Sequence, residues 1–278
     1  MHRLRYTSNL GEAEFHERCC RQKVWYHSFY FDNGFEIRGD YNIGADILDY
    51  GLPQDLTGQK VLDIGTGAGW FAFYFEQLGA REVITTDARG KCDLDVYGRW
   101  EYLAPGANGR QPERCDEDGS PVYDSVLSGA FWVMKEILGS NVKFRNARVY
   151  EISPAMFGGG KFDLVYMGAL LCHVRDPIGA LMAARSVCRG RVFVSTPVVI
   201  GEPESETPPR QYLPHTGVHD VAWWLPNEAC FRHWFQAAGF REVDISRRIT
   251  LRCDVPCWDK TGRQCNQDQI HRVGIARV

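Results

Sequence analysis

The sequence predicts an α/β protein built on a doubly wound, mostly parallel sheet of seven strands. Short apolar runs alternate with segments of helical periodicity along most of the chain, and one run leads into a glycine-rich turn at positions 65–69. This alternation is typical of a parallel sheet that helices cover on both faces. In such a fold the ligand site lies beyond the carboxyl ends of the strands, so residues at those ends are the functional candidates.

The predicted elements follow one another in a regular order along the chain. Apolar runs of strand length predict strands at 60–64, 82–86, 142–150, 162–166, 191–195, 241–251 and 271–278. Helical periodicity predicts helices at 70–78, 125–138, 177–188 and 227–238. The last of these helices stops at Gly239, a residue typical of helix ends.

The chain divides into a small N-terminal part and one main domain. We expect residues 1–50 to form a cap with a helix and a hairpin, and residues 51–278 to form the main domain. Two segments, at about 90–121 and 201–220, interrupt the alternation and are too long for plain connections. Both follow strands and should lie on the rim of the ligand site, either as lids over a substrate or as surface insertions.

Composition and charge exclude several classes of protein. The 278 residues carry a formal net charge of −3, which gives no electrostatic reason to expect a nucleic-acid partner. The first residues lack the apolar stretch of a signal peptide, and no apolar run approaches the roughly 18 residues of a membrane span. The 10 cysteines are scattered, which favours free thiols in a reducing cytoplasm.

The strongest motif is the segment 61–69, Val-Leu-Asp-Ile-Gly-Thr-Gly-Ala-Gly, which ends a predicted strand and opens a helix. Glycines permit a sharp turn and a close approach to a ligand, and the helix start offers free N–H groups. A dinucleotide-binding turn would need glycine at position 70, where this chain has Trp70. Asp63 suits a cationic amino-acid group, and Asp87, which ends the next strand, can accept hydrogen bonds from both hydroxyls of a ribose.

The segment 61–69 together with Asp87 resembles the cofactor site of class I S-adenosylmethionine-dependent methyltransferases. Segments 25–37, 162–177 and 223–240 are similar to one bacterial group of these enzymes, the tRNA-uridine carboxymethyltransferases and their methyltransferase relatives. The resemblance covers roughly residues 24 to 245. It implies S-adenosyl-L-methionine as the cofactor and a reversed final strand at the edge of the sheet.

The resemblance and the strand order together indicate the cofactor-binding residues. Tyr150 and Glu151 follow the third strand, where this fold contacts adenine, and Trp70 should pack near the cofactor. Met167 and Gly168 end the fourth strand, along the methionine portion. The predicted cofactor-binding residues are Asp63, Gly65, Thr66, Gly67, Gly69, Trp70, Asp87, Ala88, Tyr150, Glu151, Met167 and Gly168.

Histidines are the candidates for proton transfer. His173 lies just past the fourth strand, where an acceptor should meet the methyl group, and its titration range suits a general base. The alternative is a histidine that orders the following segment. His27 in the N-terminal hairpin is a second candidate, with a structural role as its alternative. Candidates for substrate contact lie late in the second insertion or just after it and are His215, His219, Trp223 and Trp224. For the two tryptophans the alternative is a role as fold anchors.

Two clusters contain metal-ligand residue types. The first matches no zinc spacing, and the second is an acidic run of the kind that usually forms solvated surface, so we expect no metal. The candidate zinc ligands are Cys253, Cys257, Cys265 and His271. The candidate magnesium ligands are Asp93, Asp95, Asp116, Glu117 and Asp118. Cysteines buried on terminal strands and a solvated acidic surface are the alternatives.

The function these observations favour is in-line methyl transfer to a small-molecule acceptor in specialised metabolism. One alternative is carboxymethyl transfer from carboxy-S-adenosylmethionine to RNA or a small molecule, and another is a non-catalytic cofactor-binding subunit. Cys172 stands where the resemblance implies a carboxylate-binding tyrosine, and the basic residues for that carboxylate have no clear match. About 50 residues precede the predicted core, without a counterpart of the RNA-binding region, so a small molecule is expected rather than tRNA. The oligomeric state is not predicted.

Overall fold

The computed structural model describes residues 5–22, 24–88, 95, 129–199, 222–256 and 267–278. These residues contain the α-helices α1 (Glu12–Cys19), α2 (Trp70–Gln77), α3 (Gly129–Leu138), α4 (Pro177–Val187) and α5 (Glu228–Ala237). They also contain the strands β1 (Phe29–Tyr30), β2 (Glu36–Ile37), β3 (Tyr41–Asn42), β4 (Lys60–Ile64), β5 (Glu82–Asp87), β6 (Lys143–Asn146), β7 (Phe162–Gly168), β8 (Cys188–Pro197), β9 (Val243–Cys253) and β10 (Gln269–Arg277). Within these ranges no helix combines the length and the apolar character that a membrane crossing requires.

Eight of these strands form one sheet, in the order β3-β9-β10-β8-β7-β4-β5-β6. Strands β6, β5, β4, β7 and β8 run parallel to their neighbours in this series. Strand β10 is antiparallel to both of its neighbours, β8 and β9. The predicted α/β fold with a doubly wound, mostly parallel sheet is confirmed.

The order of the last strands differs from the expected order in one respect. The reversed final strand, β10, lies between β8 and β9 and not at the edge. Because β10 pairs with both strands, its backbone groups are satisfied on both sides. The edge beside β9 is taken by β3, whose Tyr41 pairs with Cys253. This two-residue strand is an eighth strand, and it is too short for sequence periodicity to reveal.

Two hydrophobic clusters cover the two faces of the sheet. Helices α2 and α3 lie on one face together with the N-terminal segment, and helices α4 and α5 lie on the other. The side chains of β4 alternate between the faces, so that Val61 belongs to the first cluster and Leu62 to the second. The central strands are therefore buried on both sides, which explains their nearly continuous apolar runs.

Asp254 connects the end of β9 to the N-terminal segment. Its carboxylate accepts hydrogen bonds from the hydroxyls of Ser28 and Tyr30, each at 2.6 Å, and from the guanidinium of Arg38 at 3.0 Å. Burial opposes its ionisation, but these three donors prevail and hold the pKa of Asp254 below its ordinary value. The attachment of the N-terminal segment is therefore strongest when Asp254 is ionised.

We expect Asp254→Ala to lower the free energy of unfolding by about 2 kcal/mol near neutral pH, because two hydroxyls and a guanidinium lose their acceptor. Since the pKa of Asp254 is lower in the folded than in the unfolded protein, this loss should disappear as the pH falls through the folded pKa. Chemical denaturation across a pH series measures the difference.

The control is Glu242→Ala, which removes an exposed acid and should change stability by less than about 0.5 kcal/mol. A loss for Asp254→Ala that is no larger than the loss for this control near neutral pH would contradict the prediction.

Candidate active site

A cavity of about 320 Å³ opens at the carboxyl ends of β4, β5, β7 and β8. The strand order reverses between β4 and β7, and a doubly wound sheet holds its ligand at such a point. The cavity lining comes from the ends of these strands, the loop after β6, the N-terminal segment, and single residues of β9 and β10.

The turn between β4 and α2 forms one wall of the cavity. Gly65 and Gly67 line it with φ angles of 77° and 53°, a left-handed conformation that residues with a Cβ rarely adopt. A Cβ at Gly65 would lie 3.1 Å from the side chain of Leu170, so the bare glycine keeps the space between them open. The backbone N–H groups of Gly65 and Thr66 donate to the carbonyl of Thr86, which fixes the turn against β5.

Asp63 lies behind this turn, with only 2% of its surface exposed. Its carboxylate accepts hydrogen bonds from the hydroxyls of Thr66 at 2.7 Å and Thr85 at 3.3 Å. Burial outweighs these bonds and raises the pKa of Asp63 to about 7. A cationic group bound in the cavity would favour the ionised form, so this carboxylate is suited to a positively charged ligand.

Asp87 ends β5 and is held in place by two backbone N–H groups. Gly67 donates to one carboxylate oxygen and Ala88 to the other, both at 2.8 Å. Burial is the main influence on this carboxyl group, and it raises the pKa of Asp87. Each oxygen keeps a further lone pair, so a ligand with two adjacent hydroxyls can bind to the fixed carboxylate.

Asp95 joins the loop after β6 to the loop after β7. One of its carboxylate oxygens accepts hydrogen bonds from the hydroxyl of Tyr150 at 2.6 Å and from the backbone N–H of Arg175 at 2.7 Å. The other oxygen accepts one from the guanidinium of Arg148 at 3.2 Å. Asp95, Arg148 and Tyr150 all line the cavity, so this network shapes its outer part.

A tight turn after β7 brings His173 to the cavity. Ala169 has a φ of 51°, uncommon for a residue with a side chain, and its N–H donates to the carbonyl of Ser195 at 2.8 Å. The short 3-10 turn Leu171–His173 follows and places half-buried His173 in the cavity lining. Cys172 is buried in the same turn, and its thiol donates to the carbonyl of Ala169.

Two buried histidines line the same cavity. A Cβ at Gly67 would lie 3.9 Å from the ring of His27, so this histidine faces the glycine turn. His271 lies on β10 and lines the same cavity. Burial lowers the pKa of both histidines to about 3, and the nearby His173 adds to the effect at His271. Both rings are therefore neutral at physiological pH.

The cavity has more negative than positive charge. Asp63, Asp87 and Asp95 line it, whereas Arg148 is the one lysine or arginine among the described lining residues. Arg148 is paired with Asp95 in a salt bridge of 3.2 Å. Because His27 is neutral as well, the net field of the described lining favours a cationic ligand.

Comparison with known proteins identifies the family. A family model described as a methyltransferase domain matches residues 38–245, which is more than half of the chain. The chain belongs to this methyltransferase family. The class I S-adenosylmethionine-dependent methyltransferase predicted from the sequence is thereby confirmed, with S-adenosyl-L-methionine as its cofactor.

Curated relatives of the methyltransferase include tRNA U34 carboxymethyltransferases. The protein from Dichelobacter nodosus is 27% identical over 210 residues, which cover 74% of this chain and 52% of the relative. The protein from Ectopseudomonas mendocina is 26% identical over 191 residues, which cover 68% of this chain and 47% of the relative. The chain therefore spans about half the length of the curated relatives it matches.

Solved structures show the same fold. The N-terminal domain of EvdMO1 with SAH bound aligns with a TM-score of 0.59 at 17% identity, covering 97% of this chain and 98% of that domain. The structure of EvdMO1 itself aligns with a TM-score of 0.51 at 18% identity, covering 98% of this chain and 49% of that one. At such low identity the likeness concerns the fold, and the function of the site rests on its residues.

The cavity contains most of the cofactor-binding residues predicted from the sequence of the methyltransferase. Both candidate histidines, His173 and His27, lie in the same lining. The predicted cofactor-binding residues found there are Asp63, Gly65, Thr66, Gly67, Asp87, Ala88, Tyr150 and Gly168. Their individual contacts with the cofactor remain predictions.

Trp70 and Gly69, both predicted to bind the cofactor, lie outside the cavity lining. The indole of Trp70 is 1% exposed and packs edge-on against Tyr6 in the core. Successive side chains of a helix point about 100° apart, so it is the next residue, Phe71, that lines the cavity. Gly69 serves packing, because a Cβ there would lie 2.7 Å from the ring of Phe131.

Met167 and Glu151 do not line the cavity either. The side chain of Met167 is fully buried in the cluster beneath α4 and α5, because alternate residues of β7 face opposite sides of the sheet. The carboxylate of Glu151 instead accepts a hydrogen bond from the backbone N–H of Arg148 at 2.9 Å, which stabilises the loop after β6.

Trp223 and Trp224 support the His173 turn from behind and are absent from the cavity lining. Their backbone N–H groups donate to the carbonyl of Cys172 at 2.6 and 3.3 Å. The indole N–H of Trp224 also donates to the carbonyl of Val174 at 2.8 Å. These hydrogen bonds anchor the turn, and contact of the two tryptophans with a substrate stays a prediction. His215 and His219 lie outside the described residues.

In the described part of the chain, no three His, Cys, Asp or Glu side chains come together as metal ligands. His271 belongs to the cavity, and Asp95 is engaged by Tyr150 and Arg148. The remaining candidate ligands other than Cys253 lie outside the described residues and are Asp93, Cys257, Cys265, Asp116, Glu117 and Asp118.

Several cavity residues were not found by sequence reasoning. Tyr166 and Ser195 lie near the ends of predicted strands, so the alternation along those strands could have indicated them. Phe71 follows the glycine turn by two residues, whereas most of the others reach the cavity from distant parts of the chain through strand pairing and packing, and no local pattern marks them. The additional lining residues include Tyr26, Ile43, Tyr50, Phe71, Leu251 and His271.

Asp63→Asn should stabilise the ligand-free methyltransferase near pH 8 by on the order of 3 kcal/mol, because an amide avoids the burial of a charge. The pKa of Asp63 rises from about 3.9 in the unfolded chain to about 7 on folding. The acid therefore supports folding below about pH 4 and loses that contribution as the pH rises towards 7.

Chemical denaturation near pH 4 and near pH 8 measures this difference, which should be present only at the higher pH. Asp49→Asn, at an exposed acid, is the control and should show little change at either pH. An equal effect of Asp63→Asn at both pH values would contradict the prediction.

Proposed function

We propose that the enzyme binds S-adenosylmethionine across the ends of β4, β5 and β6 and transfers a plain methyl group to a small-molecule acceptor. The observation that carries this proposal is the charge of the cavity. Its described lining holds three acids and one arginine, and that arginine is paired with Asp95. A sulfonium and an ammonium group are stabilised in such a field, whereas an additional carboxylate is repelled.

The cavity residues fit the cofactor group by group. Asp87 presents a fixed carboxylate to a pair of ribose hydroxyls. Gly65 and Gly67 leave their backbone open to the methionine portion, with the carboxylate of Asp63 behind them. In the loop after β6, Val149 offers an apolar surface for a planar base. The cofactor therefore occupies the half of the cavity formed by β4, β5 and β6.

The chemistry requires alignment more than activation. When bound, S-adenosylmethionine supplies a methyl group on a positively charged sulfur, which is already a good leaving group. His173 lies on the cavity wall beside the place for an acceptor, and its imidazole can take a proton from the acceptor atom as the new bond forms. Because His173 is half-buried, the proton can pass on to water.

Cys172 supports plain methyl transfer over carboxymethyl transfer. Its thiol is directed to the carbonyl of Ala169, so this position offers no hydroxyl to an extra carboxylate. A buried carboxylate without a cation or a hydrogen-bond donor is costly. The curated relatives are tRNA U34 carboxymethyltransferases, which favours the alternative function, carboxymethyl transfer. The experiment below separates the two.

Size, charge and thiol chemistry support a small molecule and a cytoplasmic setting. The cavity volume of about 320 Å³ is in the range of small-molecule sites, and the net charge of −3 gives no electrostatic attraction for a nucleic acid. The described cysteines are free thiols, as expected in a reducing compartment. A role in specialised metabolism is part of the same proposal.

Native mass spectrometry of the freshly purified protein, followed by calorimetry with each cofactor, tests the proposal. We expect S-adenosylmethionine or its demethylated product to remain bound, and carboxy-S-adenosylmethionine to bind at least about tenfold more weakly. Retention of the carboxylated cofactor, or its tighter binding, would make carboxymethyl transfer the function. Failure of S-adenosylmethionine to bind at millimolar concentration would overturn plain methyl transfer, and failure of both cofactors to bind would overturn both functions.

Asp87→Ala should weaken the binding of S-adenosylmethionine by at least about tenfold, because two ribose hydroxyls lose a charged acceptor. Titration calorimetry measures the affinity, and thermal unfolding verifies that the variant is folded. Asp32→Ala, which removes an exposed acid outside the cavity, should bind as the wild type does. A folded Asp87→Ala protein with wild-type affinity would contradict the placement of the ribose.

A further inference from the structure

Beyond the proposed cofactor half, the cavity continues over the ends of β7, β8, β9 and β10. Tyr166, Ser195, Leu251 and His271 contribute to this part of the lining, one from each strand. The hydroxyls of Tyr166 and Ser195 are hydrogen-bonded to each other at 3.1 Å. Of these four strands only β7 also contributes a predicted cofactor-binding residue to the lining, Gly168 at its end.

His271 is the residue of this half whose hydrogen bonding is incomplete. Its side chain is 1% exposed, and its Nε2 lies 3.2 Å from Oε1 of Gln269. The amide nitrogen of Gln269 in turn donates to the hydroxyl of Tyr41 at 2.8 Å, which orients the amide oxygen towards the histidine. An amide oxygen only accepts, so Nε2 carries the proton of the neutral ring.

The tautomer fixed in this way leaves a lone pair on Nδ1 of His271. That atom is buried and has no hydrogen-bond partner among the described residues. Burial lowers the pKa of His271 to about 3, so the ring stays neutral and the lone pair stays available throughout the physiological range. A buried acceptor without a donor is costly, and a ligand with an O–H group would satisfy it.

The surroundings of His271 indicate what kind of molecule bears that donor. Among the described residues that β7 to β10 and their loops contribute to the lining, none is a lysine, arginine, aspartate or glutamate. The aromatic rings of Tyr50, Phe71 and Tyr166, which all line the cavity, pack in series with centroid distances of 5.3 and 4.1 Å. A charged acceptor would lose its hydration here without gaining a partner, whereas an apolar or aromatic one would be stabilised.

We propose that this half of the cavity is the acceptor subsite, and that Nδ1 of His271 accepts a hydrogen bond from the hydroxyl of an uncharged, largely apolar or aromatic acceptor. The inference rests on the proposed methyl transfer and names the acceptor class for it. His271 is a specificity-determining residue in this arrangement, while proton removal belongs to the neighbouring His173.

The test uses simple probes that differ only in the group offered to His271. Binding of 4-ethylphenol, 4-ethylanisole and 4-ethylbenzoate to the protein saturated with S-adenosylhomocysteine is measured by calorimetry. The wild type should bind the phenol about tenfold more tightly than its methyl ether, because the ether leaves the buried acceptor unsatisfied. The benzoate, which is charged, should bind more weakly than the phenol.

Three variants test whether His271 causes the preference for the phenol over its methyl ether. His271→Phe should bind the phenol and its ether equally, and His271→Asn, which keeps an acceptor oxygen near the position of Nδ1, should retain part of the preference. His16→Phe changes an exposed histidine of α1 outside the cavity and should behave as the wild type. Thermal unfolding verifies each variant, and if His271→Phe fails to fold, the phenol-to-ether ratio in His271→Asn must still lie below that of the wild type.

Failure of the inference is distinguishable from failure of the proposed function, because the affinity for S-adenosylhomocysteine is measured first. If S-adenosylhomocysteine does not bind, the proposed function itself is wrong. If it binds but the wild type does not prefer the phenol, or folded His271→Phe keeps the preference, the assignment of His271 is overturned. Equal or tighter binding of the benzoate would overturn the uncharged acceptor class.

Discussion

The left-handed glycine turn between β4 and α2 is the constraint on which the site depends. Its three glycines have φ angles of 77°, 53° and 84°, which lets the chain reverse within a few residues and start α2 directly. The N–H of Gly67 fixes the carboxylate of Asp87, while the space beside Gly65 stays open towards Leu170. One local conformation therefore positions the acid on β5 and the wall of the cavity together.

The same turn explains why a buried acid is tolerated behind it. Asp63 receives two threonine hydrogen bonds, yet burial still raises its pKa to about 7. Without a cation its ionised form costs stability, and with a cationic cofactor the charge is compensated. Ionisation of Asp63 therefore destabilises the free protein and favours binding of a cationic ligand. Such a conflict between stability and binding is common at functional sites.

The two halves of the cavity differ in charge because they are built from different parts of the sheet. The half at β4, β5 and β6 carries the three acids and the paired Arg148, and the half at β7 to β10 is aromatic and uncharged in its described lining. Methyl transfer needs a charged donor and an acceptor in line, held apart from bulk water. The topology places these two differently charged parts side by side at the reversal of strand order between β4 and β7.

The sequence by itself determined the parallel sheet, the glycine turn and the two acids, Asp63 and Asp87, because each is encoded in a short contiguous pattern. Only the tertiary structure decided which neighbours of these patterns face the cavity. Trp70 points into the core and Phe71 into the cavity, since one helical residue changes the direction by about 100°. His271 reaches the site because β10 is inserted beside β8, a pairing between segments far apart in the chain that no local pattern records.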